Sequence, residues 1–135
     1  MAGVREFVKE LEVRDYELDY QGIVNNAVYL NYLEHARSSA DFLGGEVTAV
    51  RLQSAGITWV VSEIDIKFKQ SLRAKEQFTV KTKCYLKGVM RIIFEQEIIR
   101  TSDNALIIAA VTTTACITNG RPGPFPPIIT DVFKD

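Results

Sequence analysis

A single histidine stands among the 135 residues, and most histidine-dependent chemistry falls with that count. His35 lies in a helical pattern beside Glu34, where a solvent-facing place suffices, and a Ser-His-Asp or Cys-His triad has no other histidine to use. Cysteine is nearly as scarce. Cys84 and Cys116 sit far apart in separate strand-like runs with no CxxC pair, so two buried free thiols are expected rather than a metal site or a redox motif. No phosphate-binding glycine loop and no GxSxG elbow occurs, and neither a cofactor nor a metal is expected. Nothing approaches the roughly 18 apolar residues that would span a bilayer. The opening MAGVREFVKELEV is too charged for a signal peptide, so a cytoplasmic protein without a membrane span is expected. A formal net charge of −1 supplies no bulk field to hold nucleic acid, and no nucleic-acid partner is expected.

What remains is the balance of an ordinary globular chain, 47% apolar and 24% charged, of a length that suits one domain over residues 1–135. Residues 6–13 alternate as a half-buried strand, with Phe7, Leu11 and Val13 on one side. From Ala27 to Leu43 the period becomes helical, with Tyr29, Leu33, Ala36, Ala40 and Leu43 in one stripe, and Gly44-Gly45 as the stop. A short second helix is expected over 46–55.

Strands follow. In ITWVVSEIDIKFKQ the alternation sets Val60, Ser62, Ile64, Ile66 and Phe68 on one face, and in QFTVKTKCYL it groups Phe78, Val80, Cys84 and Leu86. VMRIIFEQEIIR and ALIIAAVTTTACIT read as two more strands, joined by the turn Ser102-Asp103-Asn104. The tail GRPGPFPPII is expected to leave the sheet and run irregularly over the surface. The fold class is α+β, an antiparallel sheet wrapped around a long central helix that is apolar around much of its circumference. Open sheet edges point to continuation into a second copy of the chain.

Chemistry concentrates in ELDYQGIVNNAVYLNYLEHAR, residues 17–37, where Asp19 is followed by Gly22 and then by Asn25 and Asn26 at the start of the helical pattern. Either asparagine can cap the helix. A helix start offers unpaired N–H groups and a partial positive charge to an oxygen that becomes negative during acyl transfer. Asp19 beside such a start can attack a carbonyl or activate water. It can equally cap a turn that Gly22 merely shapes. The residues alone leave both readings open.

The same segment resembles the signature of hotdog-fold thioesterases of the 4-hydroxybenzoyl-CoA thioesterase type, an Asp-x-x-Gly-x-Val loop leading into the central helix. SEIDIKFKQSLRAKEQF is similar to that family's second strand and following turn, and KGVMRIIFEQEI to its paired strand. With Asn25-Asn26, the segment looks closest to the acyl-lipid thioesterase branch. The resemblance implies a homodimeric or homotetrameric hydrolase of fatty-acid metabolism acting on an acyl-CoA or acyl-carrier-protein thioester. It implies Asp19 as the catalytic carboxylate, the Asn26 N–H as oxyanion donor, and Gly22, Ile23, Val24 and Asn25 as the loop that meets the thioester. Tyr29 and Glu34 match positions facing the acyl group, Ser62 would hold water from the partner strand, and Gly88 matches a turn beside the pantetheine. Arg73, Lys75, Lys87, Arg91 and Arg121 are the phosphate candidates. The sequence departs from the family pattern in three places: Asn26 stands where one branch carries histidine, Ser71 and Lys75 replace the usual proline and glycine of the turn after the second strand, and the transit peptide usual in the plant branch is not expected. The alternative in another class is a non-catalytic hotdog protein that binds acyl thioesters or lipids, and Asp19 argues against it.

Overall fold

The computed structural model describes residues 3–38, 52 and 54–134. The first strand, β1, is Val4–Glu12, and a single turn of 3-10 helix over Asp15–Glu17 follows it. Helix α1 is Asn26–Ser38, then come β2 (Ile57–Phe68), β3 (Gln77–Lys87), β4 (Arg91–Arg100), β5 (Leu106–Thr118) and β6 (Arg121–Gly123). A short helix, α2 (Pro127–Thr130), and a last 3-10 turn close the described chain. The strands form one antiparallel six-stranded sheet in the order β1-β3-β4-β5-β2, with β6 paired to β5.

The long helix expected over 27–43 is described only as the thirteen residues of α1, about 20 Å of axis. Positions 39–43 and most of the helix expected over 46–55 lie outside the described residues. Within α1 the apolar stripe behaves as its spacing requires: Tyr29, Leu33 and Ala36 are buried, joined by Tyr32. Leu30, on the other side, is 40% exposed. These side chains pack on Phe78, Val80, Ile98 and Ile108 of the sheet, forming a first core cluster beside the start of the helix.

A second cluster gathers Cys84, Ile92, Phe94 and Cys116 with Phe125, Ile129 and Phe133 of the tail. Both cysteines are free and buried. The tail therefore does not run irregularly. Arg121–Gly123 turns back onto β5, and proline at the first turn of α2 starts a helix, because its missing N–H is unpaired there in any case. Three apolar side chains in the tail then have a core to fill.

Another correction concerns β2. The register slips between Val61 and Glu63, leaving Ser62 as an extra residue opposite β5. Such a bulge reverses the alternation. Trp59 and Ile57 pack inward before it and Ile66 after it, so Val60 does not share a face with Ile64.

The turn between β2 and β3 keeps a glycine-like conformation without glycine: Lys75 sits at φ 63°. The left-handed region costs an ordinary L-residue about 1–2 kcal/mol, against roughly 0.5–1 kcal/mol for the greater chain entropy that glycine loses on folding. Lys75→Gly is accordingly expected to raise stability by about 0.5–1 kcal/mol in a urea titration. A lowered midpoint would show that the lysine side chain holds the turn by contacts of its own.

Candidate active site

The site begins where β1 ends. Val13 exchanges hydrogen bonds with the β2–β3 turn, donating its N–H to the Glu76 carbonyl and accepting the Lys75 N–H. The chain then folds into a miniature hairpin, closed at its base by the Asn25 N–H on the Glu17 carbonyl at 3.0 Å and by the bridge between Leu18 and Val24. At its tip the Asp19 N–H donates to the Ile23 carbonyl at 2.8 Å, and the Gly22 N–H to the Asp19 carbonyl at 3.0 Å. Gly22 takes φ 78°, so the tight return at this tip is a place for glycine.

Asp19 does the bland job and keeps an oxygen for another. Its Oδ1 accepts the Gln21 N–H at 2.8 Å and, more weakly, the Ile23 N–H at 3.4 Å, which is an Asx turn. Among the described residues no donor reaches Oδ2. The side chain is half-buried.

Asn25 is the helix cap: its Oδ1 accepts the Ala27 N–H at 3.0 Å, and its carbonyl accepts the Val28 N–H at 2.9 Å. Asn26 is then the first residue of α1, and its N–H has no acceptor among the described residues. The first turn carries no acid, whereas His35 and Arg37 lie in the last, so no side chain of the first turn neutralises the partial positive charge of the helix start.

The β2–β3 turn forms the other wall. The Val24 N–H donates to the Leu72 carbonyl at 2.9 Å, and Ile23 bridges to Arg73. Arg100 fixes this turn, donating to the Ser71 carbonyl at 3.3 Å and to the Gln70 Oε1 at 3.0 Å while paired with Asp103 at 3.0 Å. Tyr29 is buried, and its hydroxyl accepts the Leu72 N–H at 2.9 Å. Its ring lies edge-on to Phe68, 6.0 Å between centroids, and Phe68 is itself 49% exposed. The hydroxyl thus ties the helix to the backbone of the turn.

Asp19, Gly22, Ile23, Val24, Asn25, Asn26, Tyr29 and Arg73 come together in this way. Ser62, Gly88 and Arg91 do not. Ser62 is on β2, about 20 Å before Phe68 at 3.3 Å per residue, with its hydroxyl donating to the Thr113 carbonyl at 3.1 Å. Gly88 and Arg91 stand at the far end of β3, whose eleven residues span about 35 Å from the end near Glu76. Glu34 is exposed on α1, and Lys75 is exposed in the wall turn.

Two further residues, Glu17 and Tyr32, meet in a contact that the sequence did not single out. The Glu17 Oε1 accepts the Arg14 N–H and the Tyr32 hydroxyl, each at 2.7 Å. A glutamate three residues past Arg14 can reach back to its N–H, which accounts for the first bond, but nothing local marks the second. Burial first, and then this bond to Glu17, push the pKa of the Tyr32 hydroxyl upward. Among the described residues there is no cluster of metal-ligating side chains, and no helix is long and apolar enough to cross a membrane.

Residues 13–133 match the model of the Thioesterase-like superfamily, nearly the whole chain. The chain belongs to that superfamily. Two curated relatives are similar to this member along most of its length. The acyl-acyl carrier protein thioesterase ATL2 of Arabidopsis thaliana, chloroplastic, is 39% identical over 111 residues, 82% of this chain and 58% of the relative. The chloroplastic ATL3 of the same plant is 37% identical over 110 residues, 80% of this chain and 57% of the relative. This superfamily member thus spans a little over half the length of those relatives.

Among solved structures, a 1,4-dihydroxy-2-naphthoyl-CoA thioesterase from Synechocystis superposes with a TM-score of 0.86 at 20% identity, covering 96% of each chain. A DHNA-CoA thioesterase from Staphylococcus aureus superposes with a TM-score of 0.78 at 24% identity, over 88% of this chain and 80% of the other. The superfamily member shares their hotdog fold.

Proposed function

We propose that this protein hydrolyses acyl thioesters, of coenzyme A or of an acyl carrier protein, to free acid and thiol. The observation that carries the reading is one carboxylate oxygen, Asp19 Oδ2, at the tip of the hairpin and one backbone N–H, that of Asn26, at the start of α1, both without partners among the described residues. The curated relatives, named as acyl-acyl carrier protein thioesterases, and the thioesterase neighbours in fold support it.

The chemistry follows from charge. When an oxygen nucleophile adds to the thioester carbonyl, the carbonyl oxygen becomes negative, and a free N–H at a helix start stabilises that charge more than it stabilises the neutral carbonyl. Asp19 supplies the other half, either by taking a proton from water or by attacking directly. Collapse of the adduct expels the thiolate, leaving the free acid where water attacked, or, where Asp19 attacked, an anhydride with Asp19 that a second water hydrolyses to the acid. Gly22 keeps the hairpin tip tight, and Ile23 and Val24 carry it along the wall where Arg73 and Lys75 offer cations to the phosphates of the thiol arm.

Ser62, Gly88 and Arg91 enter this scheme from a second copy of the chain, since their own subunit holds them far from Asp19. The β2 edge, unpaired among the described residues and bearing exposed Val61 and Phe68, is the surface along which the second copy would lie. Thiol release measured with aromatic, short and medium acyl-CoAs, and with the same acyl groups on a carrier protein, tests the reading. Turnover on one acyl class and one carrier supports it, and absence of turnover across the whole panel contradicts it.

A further inference from the structure

Asp19 and the Asn26 N–H belong to different pieces of backbone, the tip of a hairpin and the first turn of a helix, and something must fix one against the other. Asn25 is gripped twice. Its N–H is held by the Glu17 carbonyl, and its side chain is committed to the helix cap. The Glu17 carboxylate then reaches across to α1, accepting the hydroxyl of Tyr32, nearly two turns into the helix, at 2.7 Å. Tyr32 is 5% exposed and its ring stacks at a tilt on Phe78, 4.6 Å between centroids, so the far end of this strut is embedded in the core. The same Oε1 holds the Arg14 N–H, tying in the chain as it leaves β1.

We infer that Glu17 is a positioning residue: through Tyr32 it clamps the base of the hairpin to α1 and so sets the gap between Asp19 and the Asn26 N–H. The inference rests on the proposal that those two groups act on the thioester. A displacement near 1 Å in such a pair costs on the order of a hundredfold in rate. The clamp needs an acceptor oxygen and not a charge, since both bonds fall on one oxygen that a glutamine amide also presents.

The test uses the full chain and four variants, read as kcat, KM and Tm on the best thioester from the panel. Tyr32→Phe and Glu17→Ala are each expected to lower kcat by about tenfold to a hundredfold with KM changed by less than about threefold. Glu17→Gln is expected to recover most of kcat, and Glu17→Ala with Tyr32→Phe together to be no worse than the poorer single change, because one bond is removed twice. If Glu17→Ala fails to fold, Tyr32→Phe carries the same measurement with a smaller change. Wild-type kcat in Tyr32→Phe, or a loss in Glu17→Gln equal to that in Glu17→Ala, overturns the clamp. Asp19→Asn, run alongside, separates the two ideas: full turnover there overturns the underlying site, whereas a dead Asp19→Asn beside a fully active Tyr32→Phe overturns the clamp alone.

Discussion

Asn26→Pro is expected to lower kcat by about 10²- to 10³-fold, the loss that follows removal of one oxyanion donor, while leaving the fold intact. Proline has no N–H to offer, and at the first position of a helix it is otherwise a favoured residue. The residue before it is pushed toward extended backbone, which is where a helix cap such as Asn25 belongs. Because the Asn26 N–H bonds to nothing among the described residues, its removal leaves no buried acceptor unpaired. Circular dichroism and Tm should match the wild type. Should kcat also match, the oxyanion must be held elsewhere.

The largest loss of stability is expected at Phe78. Its side chain is fully buried, lies in the first core cluster and stacks on Tyr32. Truncation to alanine removes its transfer free energy and leaves a void that a sheet-backed site cannot close, about 3–5 kcal/mol in all. Against a typical total of 5–15 kcal/mol that is a large share. A fall in Tm of roughly 10–20 °C is expected for a chain of this size. Scanning calorimetry of Phe78→Ala checks it, and a fall of only a few degrees would mean that this cluster does not anchor the helix to the sheet.

How much of this was legible beforehand depended on how local the signal was. The change of period at Ala27, with two asparagines ahead of it, marked the helix start to within a residue. Five strand segments announced themselves, three by alternation and two by their composition and the turn that joins them. The bulge at Ser62 did not, because a single inserted residue in a run of good strand formers leaves no trace in composition, and only pairing with β5 reveals the slip. The tail misled because proline was read as leaving structure. Pro126 and Pro127 instead start a helix whose apolar side chains fill a gap no neighbour in sequence could announce.

The site divides in the same way. Asp19, Gly22 and the asparagines are near one another in sequence, and a hairpin closed by its own backbone was enough to bring them together. The bond that the Tyr29 hydroxyl accepts from the Leu72 N–H, a partner 43 residues away, had no local signal. Glu17 and Tyr32, 15 residues apart, are joined by a bond that depends on how the hairpin lies on the helix. Ser62 was expected from a partner strand, and one copy of the chain accordingly holds it away from Asp19, as it does Gly88 and Arg91.

The decisive measurement compares thiol release by the wild type and by Asp19→Asn on the preferred acyl thioester. Asparagine keeps the Oδ1 acceptor that holds the hairpin tip and loses only the basic or nucleophilic oxygen, so its Tm should be unchanged. A fall in kcat of about 10²-fold or more in a folded variant is the expected result. Turnover within a fewfold of the wild type would contradict the assignment of Asp19, and with it the site built around the start of α1.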